Sequence, residues 1–180
     1  MTETGNYKQA LLEKLEKKEA LIGILGLGYV GLPLAREFLK AGYRVLGFDV
    51  DKRRVDMVNA GESPIKHLEN GFFQSFVQEK RTFSATADFS RMVEPDALLV
   101  CVPTPLGNHM EPDLTMVLDA TKSIAAALRP GQVVVLESST FPGTTEEEML
   151  PLLEKRGLAL GREYFVGYSP EREDPGNKEF

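Results

Sequence analysis

The segment most informative about the fold is Ile22-Gly-Ile-Leu-Gly26-Leu-Gly28-Tyr-Val-Gly31-Leu-Pro33. Apolar residues before Gly26 are typical of a buried strand, and the residues after Gly31 change to helical spacing. In Gly-x-Gly-x-x-Gly the first glycine permits the turn, the second lets the backbone approach a pyrophosphate, and the third lets the helix pack on the strand. The phosphates would lie on the free N–H groups at the start of that helix. The segment therefore predicts a dinucleotide site.

An acidic residue completes this pattern, which requires a carboxylate about 20 positions later at the end of a second strand. Arg44-Val-Leu-Gly-Phe-Asp49 supplies the strand and the acid. Asp49 would accept hydrogen bonds from the adenosine ribose and repel a 2′-phosphate, which favours NAD over NADP. Arg53 and Arg54 keep NADP open as an alternative, because arginines just after this strand can hold the extra phosphate.

The rest of the chain predicts an α/β fold in which strands alternate with helices. Apolar runs at 97–102 and 132–136 are typical of parallel strands buried on both faces. Other strands are expected at 21–25, 44–49, 82–86 and 164–169. We predict a Rossmann-type doubly wound parallel sheet in the order 3-2-1-4-5-6, with helices on both faces.

Two units are expected along the chain. Residues 1–20 contain an amphipathic helix, for which covering the edge of the sheet is favoured over binding a partner. Residues 21–180 form the dinucleotide-binding domain. The aromatic stripe from Phe72 to Phe76 is interpreted as core packing, and Cys101 as a small buried hydrophobe rather than a nucleophile.

Ligands of such a sheet lie beyond the carboxyl ends of the strands, where the strand order reverses. The segments Val102-Pro103-Thr104 and Ser138-Ser139-Thr140 fall at that edge. The first is either a wall beside the ribose and nicotinamide or a strand terminator, and both can be true. The hydroxyls of Ser139 and Thr140 would face water and substrate, or else the start of the following helix.

Composition restricts the function classes. The 180 residues are 42% hydrophobic and 27% charged, with a formal net charge of −6, which argues against nucleic-acid binding. No apolar run approaches the length of about 20 residues needed to span a bilayer. The polar start of the chain lacks a signal-peptide pattern, so a cytoplasmic location is expected. A single cysteine and two histidines give metal binding little support.

Five motifs are more specific than a generic Rossmann domain. They are Gly26-Leu-Gly-Tyr-Val-Gly-Leu-Pro, Cys101-Val-Pro-Thr-Pro-Leu, Glu111-Pro-Asp-Leu, Glu137-Ser-Ser-Thr-Phe-Pro-Gly-Thr-Thr-Glu-Glu and Tyr168-Ser-Pro-Glu-Arg-Glu-Asp-Pro-Gly-Asn. Together they resemble the UDP-glucose/GDP-mannose dehydrogenase family, and within it they are most similar to the branch that oxidises UDP-N-acetylhexosamines. The alternatives are a UDP-glucose or GDP-mannose dehydrogenase, a hydroxy-acid or acyl-CoA dehydrogenase, and a non-catalytic dinucleotide-binding module.

The resemblance implies oxidation of the sugar C6 alcohol to a carboxylate with two NAD⁺, by way of a cysteine-bound thiohemiacetal and thioester. It assigns cofactor contacts to the two loops and the acid described above, and it implies catalytic roles for Thr140, which would hold a water, and for Glu171, in the hydrolysis step. The implied cofactor-binding residues are Gly26, Gly28, Tyr29, Val30, Gly31, Asp49, Arg54, Val102, Pro103, Thr104, Ser139 and Thr140.

The family's nucleophilic cysteine, its UDP-binding half and the long central helix through which its members dimerise would lie downstream of Phe180. The resemblance therefore implies that this chain binds NAD without completing catalysis, meets the UDP-sugar only through sequence outside these residues, and is monomeric or weakly dimeric.

Overall fold

The computed structural model describes residues 6–65, 70–106 and 111–170. Six parallel strands are β1 Leu21–Leu25, β2 Arg44–Phe48, β3 Phe83–Thr86, β4 Ala97–Val100, β5 Gln132–Leu136 and β6 Tyr164–Tyr168. They form one sheet in the order β3-β2-β1-β4-β5-β6, which confirms the predicted topology. β4 is shorter than the predicted strand at 97–102: Cys101 N still donates to Leu25 O at 2.8 Å, but Pro103 has no N–H with which to continue the ladder.

In the described part of the chain six α-helices accompany the sheet, and two of them adjoin π-helical or 3₁₀ turns. The helices are α1 Tyr7–Glu16, α2 Gly31–Lys40, α3 Lys52–Asn59, α4 Asn70–Gln74, α5 Thr115–Ala127 and α6 Leu150–Leu153. A π-helical turn, Ser75–Glu79, extends α4, another, Thr144–Met149, precedes α6, and 3₁₀ turns cover Phe89–Val93 and Glu154–Arg156. The Thr115 N–H, at the first residue of α5, donates to Asp113 Oδ1 at 2.8 Å, so a side chain just before the helix satisfies one of its free N–H groups.

The apolar core has two layers, one on each face of the sheet, as the doubly wound fold requires. The first layer packs residues of α2, α3 and the aromatic stripe against the sheet, and Phe73 and Phe76 are buried in it as predicted. The second layer packs α5 and α6 against the opposite face. The prediction that β5 is buried on both faces is wrong: Val133 and Val135 are only partly buried, because α2 and α3 on their side contact β1, β2 and β3 instead.

Helix α1 lies across the amino ends of the central strands rather than along an edge strand. Lys14 Nζ is 2.8 Å from Asp96 Oδ1, immediately before β4, and the Tyr43 hydroxyl donates to Leu15 O at 2.8 Å, immediately before β2. Asp96 also accepts the Leu21 N–H at 3.1 Å, so one buried carboxylate joins the helix to two strands. This arrangement leaves the carboxyl ends of the strands clear of α1.

Candidate cofactor-binding site

Two glycines of the loop between β1 and α2 are required by the protein's own packing. Gly26 has a φ of 94°, and a Cβ added to it would lie 2.7 Å from Cys101 O. A Cβ added to Gly31 would overlap Gly26 O. The first glycine therefore makes the turn, and the third allows α2 to approach the strand.

Gly28 is different, because nothing in the described protein crowds its side-chain position. The nearest atom to a Cβ built there is Arg54 Nη1, at 3.7 Å. The open face of Gly28 is therefore space that the fold itself does not need. Helix α2 begins beside it, and its N-terminus receives no hydrogen bond from a capping side chain. Free N–H groups and an uncrowded backbone fit a pyrophosphate, so this part of the site suits NAD.

Asp49 joins the end of β2 to the glycine loop. Its side chain is buried, with 6% of its surface exposed, and Oδ2 accepts the Leu27 N–H at 2.9 Å while Oδ1 accepts the Asp51 N–H at 2.8 Å. Each carboxylate oxygen can accept a further hydrogen bond, so the group can hold the loop and a ribose diol at the same time. The Leu27 N–H is a contact that the sequence does not reveal.

Arg53 and Arg54, the two arginines that keep NADP as an alternative cofactor, have different partners. Arg53 is paired with Asp51, at 3.0 Å between Nη2 and Oδ2, and its side chain is 89% exposed. The hydrogen bonds from Arg53 hold the pKa of Asp51 below its usual value. Arg54 instead reaches into the site, with Nη1 3.6 Å from Asp49 Oδ2. Arg54 thus lies between the carboxylate and the open face of Gly28.

Two loops that leave β4 and β5 meet at the same edge of the sheet. The Thr104 hydroxyl donates to Ser139 O at 2.8 Å, and the Ser138 hydroxyl donates to Val102 O at 2.7 Å. The π-helical turn that follows begins at Thr144, and no side chain hydrogen-bonds at its N-cap, Gly143, so Ser139 and Thr140 do not cap it. The sequence places Ser138 at this edge but assigns it no role; a small hydroxyl residue directly after a strand is the signal that could have singled it out.

The predicted site residues are therefore partly brought together. The glycine loop, Asp49 and Arg54 form one group, and Thr104 and Ser139 form a second group on the other side of the β1–β4 switch point. Tyr29 is 59% exposed, Pro103 is exposed, and Val30, Val102 and Thr140 are partly buried. Glu171 lies outside the described residues. A concavity of about 300 Å³ between α5 and α6 lies in a helical layer rather than at the strand ends.

Comparison with protein families gives one match over most of the chain. Residues 20–179 match the model described as UDP-glucose/GDP-mannose dehydrogenase family, NAD binding domain. No helix among the described residues combines the length and apolarity needed to cross a membrane.

Curated and solved relatives agree with this match. The chain is 39% identical over 162 residues to UDP-N-acetyl-D-glucosamine 6-dehydrogenase of Salmonella typhi, covering 89% of this chain and 37% of that protein. It is 36% identical over 164 residues to UDP-N-acetyl-D-mannosamine dehydrogenase of Escherichia coli K12, covering 87% and 38%. The structure of NDP-N-acetyl-D-galactosaminuronic acid dehydrogenase from Methanosarcina mazei superimposes with a TM-score of 0.80 at 35% identity, covering 91% of this chain and 37% of that one. The chain thus spans just over a third of these relatives' length.

Proposed function

Because the chain belongs to the UDP-glucose/GDP-mannose dehydrogenase family, as its NAD-binding domain, we propose that it is the cofactor half of a UDP-N-acetylhexosamine 6-dehydrogenase. Such an enzyme oxidises the C6 alcohol of the sugar to a carboxylate with two NAD⁺. Two relatives at 39% identity, both named UDP-N-acetyl-D-glucosamine 6-dehydrogenase, support this branch over the UDP-glucose and GDP-mannose branches.

The observation that carries the proposal is the pairing of the open face of Gly28 with the carboxylate of Asp49. Among the described residues, the atom nearest to a Cβ built on Gly28 is Arg54 Nη1, at 3.7 Å, and Asp49 lies beside the same loop through its hydrogen bond to Leu27 N. A loop that is tightly packed at its first and third glycines and open at the second is suited to a bound pyrophosphate. A carboxylate beside it is suited to the ribose diol of NAD.

We assign the pyrophosphate to the glycine loop, with Gly26, Gly28, Tyr29, Val30 and Gly31, and the adenosine ribose to Asp49 and Arg54. The nicotinamide side of the cleft is assigned to Val102, Pro103, Thr104, Ser139 and Thr140. NAD⁺ supplies the hydride acceptor when bound. The residues of this chain hold the cofactor and orient it; we assign the catalytic water to Thr140 and a carboxylate role in the hydrolysis step to Glu171.

The partners and location follow from the same proposal. The UDP-sugar and the nucleophilic cysteine belong to sequence outside these 180 residues, so the chain alone is expected to bind NAD⁺ without turning over a UDP-sugar. We propose that it is monomeric or weakly dimeric, acts in the cytoplasm, and contacts neither nucleic acid nor membrane.

Calorimetric titration of the chain with NAD⁺, NADP⁺ and UDP-N-acetylglucosamine tests the proposal. We expect NAD⁺ to bind, and the Asp49→Ala variant to lose that binding. Asp56→Ala is the matched control, because Asp56 is an exposed carboxylate on α3 away from the site. Tight binding of the UDP-sugar, or a preference for NADP⁺, would overturn the assignment of the substrate half or of the arginines.

A further inference from the structure

Two hydroxyls join the loops that leave β4 and β5, and they donate in opposite directions. The Ser138 hydroxyl donates to Val102 O at 2.7 Å, and the Thr104 hydroxyl donates to Ser139 O at 2.8 Å. The first hydrogen bond joins residues 36 positions apart in the sequence, and the second joins residues 35 positions apart. We call this reciprocal pair the hydroxyl clasp.

The sheet does not need the clasp in order to form. Backbone N–H groups of Glu137 and Ser138 already donate to Val100 O at 3.0 and 3.1 Å, and these bonds hold the end of β5 against β4. The Ser138 hydroxyl also lies 3.2 Å from Val100 O, but it has one proton, and the shorter contact is to Val102 O. The hydroxyl therefore acts on the loop that continues from β4 toward Thr104.

We infer that Ser138 is a positioning residue for the nicotinamide side of the cleft, acting through the carbonyl of Val102 on Pro103 and Thr104. Ser138 is 5% exposed, so it touches the loop and not the cofactor. The inference rests on the proposed function, because that proposal puts the nicotinamide against these two loops. Loss of the clasp would let the loops move apart and leave the rest of the cofactor site unchanged.

The hydroxyl clasp also determines whether the Thr104 hydroxyl can donate or only accept a hydrogen bond from a ligand. Its only hydroxyl proton is donated to Ser139 O, so toward a ligand the oxygen can present only lone pairs. The matching group on NAD is the N–H of the nicotinamide carboxamide, which is a donor. Thr104 thus acts as an acceptor on a fixed loop.

The test compares NAD⁺ with ADP-ribose, which carries the adenosine and pyrophosphate but no nicotinamide. We expect Ser138→Ala to raise the Kd for NAD⁺ about threefold to tenfold, as the loss of one neutral hydrogen bond does, and to leave the Kd for ADP-ribose within about twofold. A general loss of structure would raise the Kd for both ligands alike. Ser123→Ala is the matched control, because its hydroxyl also donates to a backbone carbonyl, Asp119 O at 2.9 Å, but within α5 and not between the two loops.

Further variants keep the inference testable if Ser138→Ala folds poorly. Ser138→Cys, with a weaker donor of similar shape, should give a smaller shift of the same kind. The double variant Ser138→Ala, Thr104→Val should raise the Kd for NAD⁺ by less than the product of the two single fold-increases, because both changes open the same hydroxyl clasp. Equal weakening of NAD⁺ and ADP-ribose, or a wild-type chain that binds them equally, would refute the inference. Failure to bind either ligand would refute the proposed function itself.

Discussion

Asp49 Oδ2 accepts the backbone N–H of Leu27 at 2.9 Å, which joins the acid at the end of β2 to the middle of the glycine loop. The ribose-binding carboxylate of the proposed site is therefore also a structural part of the phosphate loop. Its second oxygen accepts the Asp51 N–H at 2.8 Å, immediately before α3. One buried side chain thus sets the relative positions of the two loops that would hold the adenosine half of NAD.

Asp49→Asn should destabilise the protein even without cofactor. An amide has one acceptor oxygen, so it can satisfy Leu27 N–H or Asp51 N–H but not both, and its NH₂ group would face the other donor. We expect the free energy of unfolding to fall by about 1 to 3 kcal/mol. Urea denaturation measures this, with Asp56→Asn as the control at an exposed carboxylate. Unchanged stability would mean that the loop does not depend on Asp49.

The three glycines of the loop should respond differently to alanine. Gly26→Ala and Gly31→Ala meet backbone atoms of the protein itself, and we expect each to lower the free energy of unfolding by about 3 kcal/mol or more. Gly28→Ala meets no close neighbour and should cost less than about 0.5 kcal/mol.

Gly28→Ala, which should hardly change stability, should have a large effect on NAD⁺ binding. Its added methyl group would occupy the space proposed for the pyrophosphate, so Gly28→Ala should weaken NAD⁺ by about tenfold or more while the fold is retained. Urea denaturation and calorimetry on the same samples separate the two effects. Full NAD⁺ affinity in Gly28→Ala would contradict the assignment of this open face to the cofactor.

Asp96 should make the attachment of α1 sensitive to acid. Burial raises its pKa, but hydrogen bonds from Lys14, Leu21 N and Arg129 outweigh this and hold the pKa of Asp96 below its usual value. A lowered pKa in the folded state means that the ionised form stabilises the fold above the unfolded value of about 4, and that this contribution is lost as the pH falls below it.

The measurement is urea denaturation of wild type and Asp96→Asn between pH 7 and pH 3. We expect Asp96→Asn to cost about 2 kcal/mol at pH 7, less than a fully buried ion pair would, because the Lys14 side chain is 49% exposed. The difference between the two proteins should shrink below about pH 4. Asp119→Asn, at an exposed pair with Lys122, should cost little at any pH. A gap that stays constant down to pH 3 would argue against the role of Asp96.

Asn59 should protect the open edge of the sheet. Its amide accepts the Ala85 N–H at 2.8 Å and donates to Ala85 O at 2.9 Å, so a side chain at the end of α3 pairs with edge strand β3. Asn59→Leu should lower the free energy of unfolding by about 1 to 2 kcal/mol. It should also promote self-association, because an unpaired edge can accept another strand.

Light scattering and urea denaturation test the two parts of this prediction. Gln74→Leu is the control, since it adds the same leucine at an exposed site on α4 whose side-chain amide donates to Gln78 and not to β3. If Asn59→Leu is as stable and as monodisperse as Gln74→Leu, then the edge strand β3 does not need the Asn59 side chain for protection.

Much of the fold could be predicted because its signals are local. The glycine spacing, the apolar runs and the acid at position 49 each lie within a few residues of the structure they indicate, and with the right-handed crossover rule they lead to the observed strand order. The errors are also physical. β4 stops early because Pro103 cannot donate, and β5 is not fully buried because burial of a strand depends on which helices the rest of the chain lays over it.

The sequence by itself determined the sheet, the glycine loop and the family, because spacing and residue type suffice to specify a strand, a turn and a helix start. Only the tertiary structure decided which backbone donors and acceptors the side chains at the strand ends would meet. Asp49 with Leu27 N–H, Ser138 with Val102 O and Thr104 with Ser139 O each join segments at least 22 residues apart. A hydrogen bond depends on tenths of an ångström and on loop direction, and neither is encoded in the spacing of residues along one strand or helix.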